Sequence, residues 1–497
     1  MKIGVIPRDL DLLLVELPCR YAPTLPMGIG LVCSQARAAG FRVAAVDANI
    51  ALHGLVHGRR AQEPRYAALW QRAGGDPWNP ALAHVWNEAE TLALLTPELD
   101  ALAAAIVEAR PRTLGLSLNG LSRAAAAAVA ARLRDLRGTL PILGGGHDCA
   151  HPDGIEPLLG CVDYAIIGEA EETLPPLLRR LLAGERPADL PGVVSIYDKP
   201  GRVYVPGPLP QELDALPPAD LEWVSLADHA RADPALRVPV LWSRGCWWGG
   251  CAFCTECFSW RRRSPRHIVT ELAMFSRRGL DRFQCQDSDL AGRDLRHLHE
   301  VADEILRQRL EISLVGQMRC HKGTDEALFR TLRRAGFEAM RFGVDAWSDR
   351  LARLQNKGTT MRIVERNLAA ARAAGLWVSV NIVVGVPGET EDDIDEAIAN
   401  LARLAPYIDT VDNFNVLELA VGSRYYQDPG RYGIVIDEAV PRNPASRVVP
   451  AQAWHSGTPP VAAADRMRRL RKVALALRVL RIARHDYRIV REVASAP

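Results

Sequence analysis

The sequence has almost no surplus of charge: 61 lysines and arginines stand against 59 aspartates and glutamates, a formal net of +2. So weak a field gathers neither nucleic acid nor an anionic membrane, and neither is expected as a partner. Long apolar runs are missing too. The alanine-rich stretches are broken by Arg, Glu and Asp, and none reaches the roughly 20 residues that cross a bilayer. The opening residues MKIGVIPRDLDLLLVELP alternate as a strand does and lack the unbroken apolar core of an export signal. The expected compartment is the cytoplasm. No internal repeat is visible.

In that compartment ten cysteines are not a disulfide framework; they are metal ligands, reactive groups or buried side chains. Cys19, Cys33, Cys149, Cys161, Cys285 and Cys320 stand singly, as small buried hydrophobes do. Only four cluster, in SRGCWWGGCAFCTECFSW.

A chain of 497 residues exceeds one ordinary core. Residues 1–190 alternate strands and helices: KIGVI, DLLLVEL, a helix over 28–39, RVAAVDA, then TLGLSLN (113–119), LPILGGG (140–146) and VDYAIIG (162–168). This rhythm predicts a doubly wound, Rossmann-like α/β domain with a parallel sheet covered on both faces. An insertion near 55–100 with Trp70, Trp78 and Trp86 breaks the rhythm and reads as helices over one sheet edge. Residues 191–236 are proline-rich and read as a linker. Strands at 238–245, 281–287, 311–317, 339–345, 377–385 and 410–419 then alternate with helices, predicting a partial (β/α)6 barrel of the TIM type over 237–419. Residues 420–497 read as mostly helical, with the basic stretch Arg466 to Arg484 packed on the body as a helix. Tyr425, Tyr426 and Asp428 are read as surface packing.

Cys246, Cys251 and Cys254 are spaced C-x4-C-x2-C in a loop after a strand end, close enough to wrap one iron-sulfur cubane. Gly245, Gly249 and Gly250 let the backbone curl around it. Three ligands on four irons leave one iron open to chelate the amino and carboxylate groups of S-adenosylmethionine (SAM). Two alternatives stand beside this: Cys257 closing an electron-transfer cluster as a fourth ligand, or a structural zinc.

The cysteine loop, with Phe253 before its last cysteine, resembles the radical SAM superfamily, although the usual spacing has three residues between the first two cysteines rather than four. The resemblance continues through GVDAWSDRLARLQNKGTT (343–360) and NIVVGVPGETEDD (381–393). It implies that Asp345, where Glu is usual, reaches the nucleoside of SAM, and that Asn381 and Gly385 belong to the strand and turn bordering the adenine. It also implies an oxygen-sensitive 4Fe-4S cluster fed by an external electron donor such as a flavodoxin or ferredoxin.

The order of domains, with PMGIGLVCSQARAAGFRVAAVDAN (26–49), TLGLSLNG (113–120), ILGGGHDC (142–149) and DYAIIGEAEETLPPLL (163–178), resembles the cobalamin-dependent branch. Cobalamin contacts are then expected from Ser117, Leu118, Asn119, Gly144, Gly145, Gly146 and His147, at strand carboxyl ends. The D-x-H-x-x-G motif that supplies a lower axial histidine elsewhere is absent. The family chemistry implied is methyl transfer to an unactivated carbon of a small molecule or peptide. GCWWGGCAFC is similar to the loop of enzymes that mature ribosomal peptides. The competing expectations are a non-methylating rearrangement or cyclisation on the same scaffold, and a regulatory iron-sulfur/cobalamin protein without turnover.

Overall fold

In the computed structural model the described residues are 4, 6–80, 82–137, 139–152, 155, 158–256, 258–440, 448–457 and 461–484. They fall into two compact units, the first ending at Leu236 and the second opening at Arg237.

The first unit is built on a six-stranded sheet: β1 (Leu12–Glu16), β2 (Val43–Asp47), β3 (Leu114–Ser117), β4 (Ile142–Gly145), β5 (Tyr164–Ile166) and β6 (Val193–Ser195), in the order β2-β1-β3-β4-β5-β6. The first five are parallel; β6 runs antiparallel to β5. Every residue of LLLVE in β1 is buried, because successive side chains point to opposite faces and both faces are covered. Leu13 and Val15 join the core beneath helices Thr96–Ala109 and Arg123–Arg137. Leu12 and Leu14 join the one beneath Met27–Ala38 and Leu174–Leu182. The chain order reverses between β1 and β3, the kind of position where open α/β sheets take ligands.

The insertion forms its own apolar cluster around Tyr66, Trp78 and Trp86. The buried indoles keep their hydrogen bonds: Trp78 Nε1 donates to Asn49 Oδ1 at 2.9 Å and Trp86 Nε1 to the Pro77 carbonyl at 2.9 Å. The proline-rich stretch is not merely a connector. It supplies β6 and the helix Leu226–Ala232, whose buried His229 sits 3.2 Å from Asp47 Oδ2 and 2.7 Å from the Ala22 carbonyl.

The second unit holds six parallel strands in chain order: β7 (Val238–Val240), β8 (Arg282–Cys285), β9 (Ser313–Met318), β10 (Phe337–Asp345), β11 (Trp377–Val384) and β12 (Thr410–Val416). A two-residue strand, β13 (Ala483–Arg484), extends the far edge next to β12. Sequential parallel order with helices between strands is the (β/α)6 partial barrel, and among the described residues its two edge strands do not pair with each other.

Among the described residues after 419, helices are joined by short antiparallel strand pairs. Besides the helix Ala463–Val479, Leu419–Ala420 pairs with Val448–Val449 and Ile434–Ile436 with Trp454–Ser456. Strands of two or three residues are too short to show a period-two pattern in sequence. Tyr425, expected at the surface, is 1% exposed, and its ring meets that of Tyr432 at 4.7 Å.

Candidate active site

The strand ends of the second unit surround a cavity of about 270 Å³. Cys246, Cys251, Phe253 and Cys254 line it from the loop after β7, Asp345 from the end of β10 and Asn381 from β11. Six residues singled out from sequence thus meet in one place. Cys257 lies outside the described residues.

The cysteine loop is held by specific bonds. Gly245 has φ +78°, and a Cβ there would sit 2.5 Å from the carbonyl oxygens of Phe258 and Ser259, so only glycine fits. The loop docks on residues 355–358: Ala252 N donates to the Gln355 carbonyl at 3.0 Å, Asn356 Nδ2 to the Gly250 carbonyl at 2.7 Å, and Trp248 Nε1 to the Asn356 carbonyl at 2.7 Å. The Arg319 guanidinium lies 4.9 Å from the centre of the Trp248 ring, a cation–π contact. Trp248 therefore fixes the loop, while Trp247 stacks parallel to it at 6.4 Å and is 39% exposed.

Burial pushes the Cys251 thiol up, against the pull of Lys357 and Arg319. Burial, with the neighbouring Cys251, Glu256 and Cys246, pushes Cys254 up to about 11, although the Glu256 backbone N–H donates to its sulfur at 3.4 Å. Mutual repulsion of this kind is what a cationic cluster relieves, since it takes thiolates as ligands. The donor set, three thiols on one cavity beside two cations, fits an iron-sulfur cluster.

Asp345 sits at φ +55° and pairs with Lys357, a residue that sequence reasoning did not single out. Lys357 is 4% exposed. Burial works against its charge, but Asp345 and Cys251 outweigh that and raise its pKa. Its ammonium also lies 5.6 Å from the centre of the Phe253 ring. The carboxylate expected to face a nucleoside is thus held by an ammonium that also faces the cysteine loop. The only signal for Lys357 is its place in the turn QNKG, twelve residues after Asp345.

Asn381 Oδ1 is buried at the cavity without a hydrogen-bond partner, an acceptor ready for a donor on a bound molecule. Its carbonyl accepts from Trp347 Nε1 at 3.1 Å, which fixes the strand. Buried Asp287, whose carbonyl accepts from the cavity-lining Gln317 Nε2 at 2.6 Å, accepts at its carboxylate from Ser243 N at 2.5 Å and Ser243 Oγ at 2.6 Å, and burial raises its carboxyl to about 6. Gly385 does not line the cavity. It has φ +82°, its N–H donates to Glu389 Oε2 at 2.8 Å, and a Cβ there would meet Arg466 Cδ at 2.5 Å. Its glycine requirement comes from packing against the C-terminal helix. Arg466, fully buried, lies over Trp454 at 3.7 Å.

In the first unit the remaining candidates gather where β3 and β4 end. Ser117 pairs in register with Gly145, and Leu118 N donates to the Gly145 carbonyl at 2.8 Å. Leu118 is wholly buried, so its side chain faces the core rather than a ligand. Gly144 is required beneath it, because a Cβ would come 2.7 Å from Leu118 Cδ1. Gly146 has φ +108° and would meet the Leu118 carbonyl at 2.9 Å, whereas a Cβ on Gly145 would meet nothing within 4 Å. Asn119 is engaged in the turn, its Oδ1 accepting from Leu121 N at 3.0 Å. His147 is exposed at the start of the short turn His147–Cys149. At this strand end Gly146 and His147 are exposed and Gly145 is half-buried.

Residues 240–401 match the family model of the radical SAM superfamily. A relative, the uncharacterized methyltransferase PH0819 of Pyrococcus horikoshii, is 24% identical over 271 residues, which cover 53% of this chain and 58% of that protein's length. Among solved structures, the radical SAM methyltransferase TsrM from Kitasatospora setae, with cobalamin and a 4Fe-4S cluster bound, is similar at TM-score 0.64 and 17% identity, over 86% of this chain and 81% of that one. The cobalamin-dependent radical enzyme OxsB, with aqua-cobalamin and SAM bound, is similar at TM-score 0.66 and 14% identity, over 88% of this chain and 64% of that one. Residues 240–401 thus carry a radical SAM domain, and the chain as a whole shares its fold with TsrM and OxsB.

Proposed function

We propose that this protein is a cobalamin-dependent radical SAM methyltransferase acting on an unactivated carbon of a small natural product or a ribosomal peptide. The observation that carries the reading is the convergence of Cys246, Cys251 and Cys254 with Asp345 and Asn381 on one cavity at the strand ends of β9 to β12. TsrM has been solved with tryptophan and a SAM analogue bound, which supports a small-molecule substrate here.

When bound, the cluster supplies the electron that cleaves SAM, and the corrinoid supplies the methyl group. The chain's residues would do the rest. The three thiolates hold the cluster in a loop that Trp248 and Asn356 pin in place. Lys357 neutralises Asp345 and brings positive charge to the thiolates, so the cavity keeps its ionic groups paired. Asn381 Oδ1 offers an acceptor to the adenine or ribose. The strand-end backbone at Gly145 and Gly146, with Ser117 and Asn119 beside it, would receive the corrinoid.

The test is anaerobic incubation of the reconstituted full chain with cobalamin, SAM and a strong reductant, followed by mass spectrometry. Formation of 5'-deoxyadenosine together with S-adenosylhomocysteine is the expected outcome. Production of 5'-deoxyadenosine alone would point to a non-methylating radical reaction and overturn the methyltransferase reading.

A further inference from the structure

The insertion after β2 contains a group of side chains that the cofactor chemistry does not use. His53 and His57 are four residues apart on helix Ala48–Arg59, so they share a face, and their ring centroids are 3.8 Å apart. Asp76 reaches them from the loop after helix Pro64–Ala73, with Oδ2 3.2 Å from His57 Nε2. One ligand atom from each of the three residues lies within 4.8 Å of the other two.

The hydrogen bonds constrain what this group can be. His57 Nδ1 is 2.9 Å from the His53 carbonyl oxygen. A carbonyl only accepts, so Nδ1 carries the hydrogen, and in a neutral ring Nε2 is left with a lone pair. That lone pair faces a carboxylate oxygen, which also only accepts. Two acceptors at this distance need a cation between or beside them, either a proton on His57 or a metal ion. The surroundings favour metal. The Trp78 backbone N–H donates to Asp76 Oδ1 at 2.9 Å, which fixes the carboxylate and leaves Oδ2 toward the imidazoles. A ligating histidine characteristically donates its other ring N–H to a backbone carbonyl, as His57 does. A proton would join only His57 and Asp76, and would leave the His53 ring, tilted at 31° against an imidazolium, without a share in the bond. Trp70 and Trp78 pack against the rings at 4.7 and 5.2 Å and limit water on that side.

We propose that His53, His57 and Asp76 bind one divalent transition-metal ion of the zinc class, with water completing the coordination. Two imidazole nitrogens and a carboxylate oxygen are donors that zinc takes at tetrahedral sites with an open position. Bound there, the ion fastens the loop carrying Asp76 and Trp78 to helix Ala48–Arg59. The site belongs to the first unit, whereas the cluster thiols belong to the second.

The experiment titrates zinc chloride into this chain reconstituted with its iron-sulfur cluster, under nitrogen, against a chromophoric chelator. The expected result is one zinc per chain, taken up with the visible absorption of the cluster unchanged. His53→Ala and Asp76→Asn should each weaken binding by about 100-fold, the upper end of what even outer-partner losses cost. Asp76→Asn retains an oxygen for the Trp78 N–H, so its loss of zinc is not a folding defect. Equal zinc affinity in the wild type and both variants would overturn the proposal. So would no uptake by the wild type with its cluster intact, which would make His57–Asp76 an ordinary ion pair.

Discussion

At the carboxyl ends of β3 and β4 the first sheet presents Ser117, Gly145 and Gly146, while the second sheet ends at β10 and β11 in Asp345, paired with Lys357, and Asn381 with an unpartnered oxygen. Both sheets are largely parallel and both place candidate residues on the same kind of edge. Parallel architecture supplies the edge; the residues after each strand choose the ligand. On the proposed function, the exposed backbone at Gly146 beside Ser117 would take a broad molecule through shape and backbone groups. A pocket with thiols, an ion pair and an open acceptor suits a metal cluster and a charged sulfonium.

The largest expected effect tests the second edge. Cys246→Ala, Cys251→Ala or Cys254→Ala should each remove the cluster and reduce 5'-deoxyadenosine formation to background, measured by iron content and mass spectrometry. Cys257→Ala should leave the iron content unchanged; its loss there would restore the closed-cluster alternative.

Asp345→Asn leaves Lys357 buried and unpaired, which should cost about 3–5 kcal/mol and lower the melting temperature. Combining it with Lys357→Met should recover most of that stability but not SAM binding. Recovery of both would show that the pair is only structural.

The first edge has an acid of its own. Burial, with Asp47 nearby, raises the Glu16 carboxyl from 4.5 to about 7 against the pull of Arg20. Because its folded pKa is the higher one, the stability it contributes is complete below about pH 4.5 and is lost as the pH rises through about 7. Glu16→Gln should therefore flatten the decline in melting temperature between pH 5 and pH 8, worth about 3 kcal/mol at most. Parallel pH profiles would contradict this.

Gly146→Ala is the smallest perturbation. Its φ of +108° and the 2.9 Å approach to the Leu118 carbonyl predict a cost of about 1–3 kcal/mol and weaker retention of cobalamin, with iron content unaffected.

Much of this was legible in sequence because it rests on local spacing. The three cysteines lie within nine residues, and the alternation of strands and helices announced both parallel sheets. What stayed hidden depends on contacts across elements. Lys357 meets Asp345 only once the chain turns back after helix Asp349–Leu354. Gly385 looked like a residue of the nucleoside turn, yet its Cα faces Arg466, some eighty residues away in sequence. Leu118, expected from sequence as a cobalamin contact, has its side chain in the core because strand alternation turns it inward. His53 and His57 have ordinary helical spacing, and nothing local marks Asp76 as their neighbour.

Under the proposed function the two edges hold two different cofactors through separate residues. The most direct measurement is the cobalt and iron content per chain after reconstitution with cobalamin, iron and sulfide and removal of unbound material, in the wild type, Gly146→Leu and Cys251→Ala. The account predicts both metals in the wild type, loss of cobalt alone from Gly146→Leu, and loss of cluster iron alone from Cys251→Ala. A wild type that retains iron but no cobalt, or a Gly146→Leu protein that retains cobalt like the wild type, would contradict it.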